Sequence, residues 1–443
     1  MSRTLHLFGT DWCAMMVPIH ALQWYRMQCY DGTDSCATVV PIRRYCHIVG
    51  GGWQDSLENI VKSCPEIQLH IAFESHKYTD AKCVDGVWYY PMNFNYSLTE
   101  KIIDQFSWNP NCNHIVAEEL KIIDKVKPDL IHIFGNEWPF GMIQKYTKIP
   151  CVIHIQGSWI SHYNSLYPPK YNGFTISKAI GLDLRKQWRL YRSYYKDLSR
   201  LNMETEIWKS VSNYMGRTEW DRAMVKTLSP MAKYYHVEEA LRSVFLESTK
   251  KWSLSRSKVI NIISVGCSSF LKGIDMMLKT ANVLKNMGVD FTWKVAGQLD
   301  PLMKKAVENK EHLKFSDCNI EILGYVSADH LANILTDSSI YVHTAYIENS
   351  PNSICEAQVL GLPIISTHVG GISTLVEDKK GGLLIPANEP WQMANAIVEL
   401  FEDKARMQSY SKYNMDQARK RHSVDNVKQE LLACYKDIIK RNV

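Results

Sequence analysis

The stretch IENSPNSICEAQVLGLPIISTHVGG, residues 347–371, holds the pattern that decides the fold. A polar loop leads into a helical segment, and the apolar run PIISTHV then ends at two glycines. A helix that begins after a strand offers free backbone N–H groups and the positive end of its dipole. The stretch therefore predicts one unit of a parallel sheet, with a loop able to bind phosphate or sugar oxygens.

Two carboxylates, Glu348 and Glu356, flank this loop. Their oxygens can accept hydrogen bonds from a pair of vicinal hydroxyl groups. A simpler interpretation of Glu356 is a first-turn glutamate that the helix dipole stabilises. The pattern alone leaves both interpretations open.

Outward from this stretch, the same alternation of short β-branched runs and helical segments continues over residues 258–402. The runs lie at 259–265, 290–297, 319–324, 339–345 and 363–371. Strands of this length separated by helices are typical of βαβ units with right-handed crossovers. This part of the chain is predicted to be a doubly wound α/β domain.

The first half alternates less regularly, with buried runs at 67–73, 129–135, 151–157 and 207–216. Several runs end at a glycine or a polar residue, where ligands collect at the carboxyl edge of such sheets. We therefore expect two Rossmann-like domains, joined near residues 243–258. Their predicted bounds are 1–245 and 258–415, and a helix within 416–443 is expected to pack back toward the N-terminal domain.

The first strand has two candidates within residues that show no convincing period, 1–45 and the run after them. Either RTLHLF (3–8) is that strand and a long loop follows, or RYCHIV (44–49) is the strand behind an extension. The sequence does not decide between them.

Composition restricts the class of protein. In 443 residues, 51 Lys and Arg against 46 Asp and Glu give a formal charge of +5, too small to indicate a nucleic-acid coat. No apolar stretch reaches the roughly 18 residues that span a bilayer, and Asp11 interrupts the start before a signal-peptide core can form. The 12 cysteines are scattered without zinc spacing, so we expect reduced, buried thiols in a cytoplasmic protein.

The chain resembles the retaining family 4 glycosyltransferases of the GT-B fold. The resemblance lies in the two glutamates of 347–371 with GLP and VGGI behind them, and in SVGCSSFLKG, KVAG and GYV before them. In the first half, GGWQDSL, DLIHIFGNEWP, VIHIQG and GRTEWDRA resemble a bacterial polysaccharide-type branch of that family. The resemblance implies two Rossmann-like domains facing each other across a cleft, with the nucleotide-sugar donor on the second domain and the acceptor on the first.

The resemblance also implies roles for the matching residues. Glu356 would hold the ribose hydroxyls of a nucleotide diphosphate, and Glu348 would contact the transferred sugar. Lys272 would neutralise the diphosphate, since negative charge grows on the β-phosphate as the anomeric bond breaks and a fixed cation lowers that barrier. The other implied donor-binding residues are Asn349, Ser350, Pro351, Asn352, Ser353, Gly266, Gly370 and Gly371 around the sugar and phosphates, and Tyr325 and Val326 against the base.

Two departures from the family pattern stand out. Cys267 occupies a position where the family usually has a second diphosphate cation, an arginine. Arg217, or the glycine loop that includes Gly51 and Gly52, is expected to take its place. Gln156 stands where the family commonly has a histidine, with His154 two residues earlier on the same strand face.

These departures do not exclude catalysis. In a retaining front-face mechanism the leaving phosphate itself takes the proton of the acceptor, so Gln156 can act by hydrogen bonding alone. The chain has no Asp-x-Asp pair and no Cys/His cluster, and we expect no metal in catalysis. No cofactor is expected, and the donor substrate would carry UDP or GDP.

A basic amphipathic segment occupies residues 182–202. Its predicted membrane or acceptor face consists of Arg185, Arg189, Arg192 and Lys196, and aromatic residues follow the same helical steps on a neighbouring face. Such a helix is typical of an anionic membrane interface. The alternative is a helix that packs its aromatic face on the core and leaves a solvated basic side.

The sequence as a whole predicts a retaining, metal-independent glycosyltransferase that moves a sugar from a nucleotide diphosphate to a hydroxyl of a glycan or lipid-linked acceptor. Its location would be cytoplasmic, at the inner face of the membrane if the basic helix binds there, and it would bind no nucleic acid. Two alternatives stay open: a nucleotide-sugar 2-epimerase of the same architecture, and a catalytically silent GT-B protein with a binding or scaffolding role.

Overall fold

The computed structural model describes residues 2–8, 52–75, 78–94, 97–99, 102 and 112–442. Within them, the first half of the chain forms a sheet of strand order β3-β4-β2-β1-β5-β6-β7-β8, parallel except for the β3–β4 pair. Its strands are β1 Ser2–Phe8, β2 Ile67–Glu74, β3 Lys82–Val84, β4 Val87–Met92, β5 Leu130–Phe134, β6 Cys151–His154, β7 Asn213–Gly216 and β8 Lys233–His236.

The second half forms a fully parallel sheet of order β11-β10-β9-β12-β13-β14. Its strands are β9 Ile260–Val265, β10 Phe291–Ala296, β11 Ile320–Gly324, β12 Ile340–His343, β13 Ile364–Thr367 and β14 Gly382–Ile385. These strands coincide with the β-branched runs of the sequence, because a parallel sheet buried on both faces requires continuous apolar residues. The predicted α/β architecture of two Rossmann-like domains is confirmed.

Helices connect the strands of both sheets. In the first half they are α1 Gly52–Lys62, α2 Cys112–Val126, α3 Trp159–Asn164, α4 Gly173–Ile180, α5 Leu184–Ser210, α6 Glu219–Leu228 and α7 Ser243–Leu246. In the second half they are α8 Ile274–Asn286, α9 Pro301–Glu311, α10 Ala328–Asp337, α11 Asn352–Leu360, α12 Ile372–Leu375, α13 Pro390–Glu402, α14 Lys404–Arg421 and α15 Val424–Asn442. Short 3₁₀ turns lie at Pro139–Lys145, Phe270–Lys272 and Ser316–Cys318.

Strand β1 contains RTLHLF, one of the two candidates for the first strand. Strand β1 lies between β2 and β5, with Phe8 opposite Phe73 in the parallel register. The segment 44–49 lies outside the described residues, as does Gly51 of the glycine loop, while Gly52 is the first residue of α1.

Two details of the first sheet differ from the sequence prediction. The run 207–216 is a strand only over Asn213–Gly216, because α5 continues to Ser210 and buries Met203 and Ile207 one turn apart. The β3–β4 hairpin was missed, although its turn at Asp85 and Gly86, both with positive φ, is a recognised hairpin signal.

Helix α15 packs against the first sheet although it follows the second domain in sequence. Leu431 and Ile438 lie in one buried cluster with Ile71 and Phe134. The Tyr435 hydroxyl also forms a 2.6 Å hydrogen bond with Nδ1 of the buried His132. The end of the described chain therefore ties the second domain to the first through a buried contact.

The described part of the chain contains no helix that is long and apolar enough to cross a membrane. Six cysteines are free and buried, Cys64, Cys151, Cys267, Cys318, Cys355 and Cys434, and Cys83 is free and exposed.

Candidate active site

The two sheets present polar residues at the carboxyl ends of their strands, as parallel α/β sheets do at ligand sites. In the second domain, Lys272 follows β9 and Glu348 follows β12. In the first domain, Gln156 follows β6 and Arg217 follows β7. Hydrogen bonds of Asn349, the residue after Glu348, join the two edges across the domains.

Lys272 and Glu348 form a buried ion pair. His343, the last residue of β12, approaches the same carboxylate oxygen, with its Nε2 3.4 Å from Oε1 of Glu348. Burial acts to raise the pKa of Glu348, but Lys272 and His343 outweigh it and lower that pKa to about 2. Glu348 is therefore ionised throughout the physiological range, beside a fixed cation.

The loop between Glu348 and α11 has polar atoms free to bind a ligand. Ser350 Oγ and Asn352 Oδ1 are buried and have no hydrogen-bond partner among the described residues. Buried polar atoms in native structures normally form hydrogen bonds. Two buried atoms without a partner, one in the loop and one at the first residue of α11, therefore indicate a missing partner. The Ser353 hydroxyl, by contrast, already accepts a 2.8 Å hydrogen bond from Tyr341.

Gly370 and Gly371 press against this loop from the end of β13. A Cβ on Gly370 would lie 1.8 Å from the carbonyl oxygen of Glu348, and its φ of +51° is one that other residues rarely adopt. A Cβ on Gly371 would lie 2.4 Å from the carbonyl oxygen of Asn349. The glycine pair is thus required for the loop to hold its position.

Asn349 connects the loop to the first domain. Its Oδ1 accepts a 2.8 Å hydrogen bond from the Thr218 hydroxyl, and its Nδ2 donates to the carbonyl oxygen of Gln156 at 3.4 Å. A capping box with Asp221 at the start of α6 holds Thr218 in place, so the Thr218 hydroxyl is fixed in position to contact Asn349. Gln156 and the loop predicted to bind the donor therefore lie directly opposite each other.

Arg217 is buried and engaged within the first domain. It lies 2.5 Å from the Glu239 carboxylate, and it contacts Oε1 of Gln156 at 3.2 Å and Nε2 of His154 at 3.3 Å. His154 and Gln156 share this partner because they are two residues apart on one strand face. In this arrangement Glu239 balances the charge of Arg217, and Arg217 serves to orient Gln156.

Glu356 lies on α11, buried and away from water. Both of its oxygens bind Arg242, which stands just before α7. Burial raises the pKa of Glu356, and Arg242 offsets part of that rise. The carboxylate predicted to hold ribose hydroxyls thus has a protein partner at both oxygens.

The remaining predicted donor-binding residues follow β9 and β11. Gly266 comes directly after β9, and burial raises the pKa of the neighbouring Cys267 thiol to about 12, so that the side chain is neutral at physiological pH. Tyr325 follows β11 and is 86% exposed, with its ring open to stacking, while Val326 beside it is partly buried.

The predicted basic face of α5 is divided by the structure. Arg185 and Arg189 are exposed, but Arg192 is buried and Lys196 is only partly exposed. From Arg192 onward the helix packs on the first domain, where Arg200 lies over the rings of Trp138 and Trp159 at 5.4 and 4.9 Å. The prediction that Arg192 belongs to an exposed basic face is wrong for this reason.

The exposed part of α5 and the segment before it is also apolar. Phe174, Leu182 and Leu184 are 73%, 97% and 80% exposed, and Trp188 and Tyr191 are about half exposed. The alternative of an aromatic face packed on the core therefore does not hold for the first half of this helix.

The fold and this cleft define a protein of the GT-B class. Residues 260–403 match the family model described as "Glycosyl transferases group 1". The amylovoran biosynthesis glycosyltransferase AmsK of Erwinia amylovora is 21% identical over 241 residues, 53% of this chain and 56% of that protein. The chain covers between 35% and 56% of the length of the first curated relatives that it matches.

Among solved structures, sucrose-phosphate synthase from Thermosynechococcus elongatus superimposes with a TM-score of 0.69 at 13% identity, over 100% of both chains. The Anabaena protein HepE in complex with UDP superimposes with a TM-score of 0.60 at 13% identity, over 99% of this chain and 100% of that one. These likenesses establish the GT-B fold, and the likeness to group 1 glycosyltransferases covers residues 260–403.

Three site residues were missed by the sequence prediction: His343, Arg242 and Thr218. His343 ends a β-branched run, a position that favours a ligand-side residue, so a signal was present. Arg242 and Thr218 contact residues that are 114 and 131 positions away, and no local pattern announces such pairings.

Proposed function

We propose that this protein is a glycosyltransferase that moves a sugar from a nucleotide diphosphate-sugar to a hydroxyl of a glycan or lipid-linked acceptor. The observation that carries the proposal is the meeting of the Lys272–Glu348 pair with Gln156 at one cleft, linked through Asn349. This arrangement supplies a cation for a diphosphate, a carboxylate for sugar hydroxyls and a polar group on the opposite domain.

In this mechanism the diphosphate binds Lys272, which then neutralises the charge that develops on the leaving β-phosphate. Glu348 accepts hydrogen bonds from the sugar, and the neighbouring Lys272 and His343, which lower its pKa, keep it ionised. The polar atoms of Ser350 and Asn352 that lack partners gain them from the same ligand.

The transfer retains the anomeric configuration. The acceptor oxygen forms its bond to the anomeric carbon on the face from which the phosphate oxygen leaves, and the hydroxyl proton passes to that phosphate oxygen. Gln156 carries no proton to exchange, so it contributes hydrogen bonds. Arg217 and Asn349 fix it in place by contacting its side chain and its carbonyl oxygen, respectively.

UDP is the first candidate for the nucleotide and GDP the second. The exposed ring of Tyr325 supplies a stacking surface for a base. HepE, which shares the fold, has been crystallised with UDP. A polysaccharide-type acceptor is favoured by the likeness to AmsK, which is named for amylovoran biosynthesis.

A lipid-linked acceptor would bring the protein to a membrane. The exposed apolar residues before and along α5, with Arg185, Lys186 and Arg189 beside them, form a surface of the composition that binds an anionic bilayer. We define the membrane-facing patch as Phe174, Leu182, Leu184, Arg185, Lys186, Trp188, Arg189 and Tyr191.

The test is a thermal-shift screen with UDP-glucose, GDP-mannose and ADP-glucose. A true donor at 100 times its Kd stabilises the native state by about 2.7 kcal/mol. Lys272→Ala should lose this stabilisation, whereas Lys285→Ala, an exposed lysine on α8 of the same domain, should keep it. No stabilisation by any of these nucleotide-sugars would contradict the proposal.

The reaction products distinguish a transferase from the two alternative functions. A 2-epimerase would convert the donor sugar in the absence of acceptor, and a silent protein would bind nucleotide without turnover. Nothing in the likenesses described above favours the epimerase.

A further inference from the structure

Glu137 is a buried carboxyl group to which the proposed donor chemistry assigns no role. It follows β5 in the turn at the carboxyl edge of the first sheet and is 3% exposed. Its Oε2 is buried with no hydrogen-bond partner among the described residues. Such an atom is costly unless a ligand or water pairs with it.

Two glycines make room for this carboxyl group. A Cβ on Gly135, whose φ is +79°, would lie 2.5 Å from Oε2. A Cβ on Gly157 would lie 2.5 Å from Oε1. The turns after β5 and β6 therefore both lack a side chain at the points where the Glu137 carboxyl group sits.

The ring of His162, on α3, lies close to the same position. The Cβ that Gly157 lacks would lie 2.9 Å from Cε1 and 3.3 Å from Nε2 of the His162 ring. Burial lowers the pKa of His162 to about 4, and Lys272 and Glu348 of the second domain also act on it. The pair of Glu137 and a neutral His162 thus lies on the first-domain side of the cleft, within electrostatic reach of the Lys272–Glu348 pair.

Glu204 shows what a structural carboxylate looks like in the same region. It accepts hydrogen bonds from Asn136, from the Trp208 ring nitrogen at 3.1 Å and from the backbone of Ile160 at 3.1 Å. Both of its oxygens are thereby used. Glu137 has one oxygen left over, and it lies at the carboxyl edge of the sheet, where ligands of such sheets bind.

We propose that Glu137, with His162 beside it, binds the hydroxyl of the acceptor that attacks the sugar. Oε2 accepts the hydrogen bond of that hydroxyl as the acceptor binds, and the neutral His162 ring lies beside the carboxyl group. The proton then passes to the departing phosphate oxygen as the bond to the sugar forms. The assignment to the acceptor follows from position, because both residues belong to the first domain while the donor loop lies opposite. This inference rests on the proposed glycosyltransferase function and adds a residue to it.

A pH dependence comes with the assignment. Burial, with the charge of Glu204 adding to it, raises the pKa of Glu137 to about 7. The ionised carboxylate is the hydrogen-bond acceptor, so acceptor use should rise as pH increases through about 7.

The experiment uses hydrolysis of UDP-glucose, in which water is the acceptor, measured by UDP release between pH 5 and 9. Glu137→Gln should reduce the rate of UDP release roughly 10- to 100-fold, as expected for the loss of a hydrogen bond to a charged group. It should also remove the increase of the rate with pH near pH 7. Thermal stabilisation by UDP should be unchanged. Glu119→Gln is the matched control, because Glu119 is also a buried carboxyl group without hydrogen-bond partners. Its charge raises the pKa of Cys151, which lies at the opposite end of β6 from the cleft.

The outcomes separate the two proposals. If UDP stabilises the wild type and Glu137→Gln keeps its rate and pH profile, the inference is wrong and the donor assignment stands. If none of the nucleotide-sugars of the thermal-shift screen stabilises the wild type, the proposed function fails, and the inference fails with it. Should Glu137→Gln not fold, His162→Gln takes its place, with a reduced rate at unchanged UDP binding as the expected result.

Discussion

Arg242 holds Glu356 through two parallel hydrogen bonds, 2.7 Å from Nε to Oε1 and 2.8 Å from Nη2 to Oε2. The arginine precedes α7 in the connection between the sheets, and the glutamate lies on α11 in the second domain. Glu356, the residue expected to bind ribose, therefore also fixes the segment that connects the two sheets. A nucleotide that uses Glu356 must share it with Arg242 or displace one of these two bonds.

Replacing Arg242 with alanine should destabilise the protein by about 2 to 4 kcal/mol, because it leaves the buried Glu356 carboxylate without its partner. Urea unfolding measures the loss. Arg222→Ala is the control, since its pair with Glu219 is exposed and should contribute little. Adding Glu356→Gln to Arg242→Ala should recover part of the lost stability, and a double variant as unstable as the sum of the single ones would argue against the pairing.

Lys272→Ala should lower the rate of sugar transfer by about 10² to 10³, the usual cost of removing one preorganised group that stabilises charge in a transition state. Glu348→Ala should lower it as well, while Lys285→Ala should not. Steady-state kinetics with the donor found in the thermal-shift screen measures the effect. Full activity of Lys272→Ala would rule out its diphosphate role.

His422 should make stability depend on pH. It is buried in the turn between α14 and α15, with Nδ1 2.9 Å from the carbonyl oxygen of Glu239. Burial, with Arg421 adding to it, lowers its pKa from 6.5 to about 4. Between these values the unfolded chain binds a proton that the native state does not, so the contribution of His422 is complete above pH 6.5 and is lost as pH falls toward 4.

The variant His422→Asn can keep the bond to Glu239 without titrating. We expect the stability difference between wild type and variant to shrink, by up to about 3 kcal/mol, as pH falls from 7 to 4. Urea unfolding at each pH measures it. The exposed His330 provides the control variant His330→Asn, and a wild-type advantage that stays constant with pH would contradict the prediction.

Transfer should not require a metal ion. The described residues contain no group of three or more His, Cys, Asp or Glu side chains placed to hold one, and Lys272 supplies a positive charge in the site. Activity should be the same with EDTA as without it. If EDTA abolished the activity and added magnesium restored it, a metal ion rather than Lys272 would stabilise the charge of the leaving group.

Much of the fold could be predicted because strands such as β5, β9 and β13 are rich in β-branched residues and the helices between the strands have their own period. The β3–β4 hairpin was missed because its strands are short. The length of α5 was missed because the helix continues into an apolar segment that resembles a strand. Strand β8, KYYH, is only partly buried and has no β-branched residue, so its sequence gives little signal.

The site could be predicted only in part. Lys272, Glu348 and Asn349 follow strands and sit in short patterns, whereas their partners come from the other domain or from distant strands. Arg217 illustrates the limit: it was expected to substitute for the diphosphate cation missing at Cys267, and only the folded structure shows Glu239 beside it. Charge compensation between residues far apart in sequence depends on packing that no local pattern encodes.

The membrane-facing patch should bind anionic bilayers, because exposed apolar side chains can enter the interface while Arg185 and Arg189 contact acidic headgroups. Flotation with vesicles containing phosphatidylglycerol should recover the wild type, and less of it as salt increases. Vesicles of phosphatidylcholine alone should recover little.

Arg185→Glu with Arg189→Glu should abolish flotation, since both residues are exposed and each change removes one positive charge and adds one negative. Lys412→Glu with Lys420→Glu changes the net charge by the same amount at exposed positions of α14 and should float like the wild type. Leu182→Ser with Leu184→Ser tests the apolar contribution, because it leaves the charge unaltered. If both charge variants lose binding equally, general charge attraction explains the result; if the Arg185 and Arg189 variant still floats, α5 is not the membrane contact.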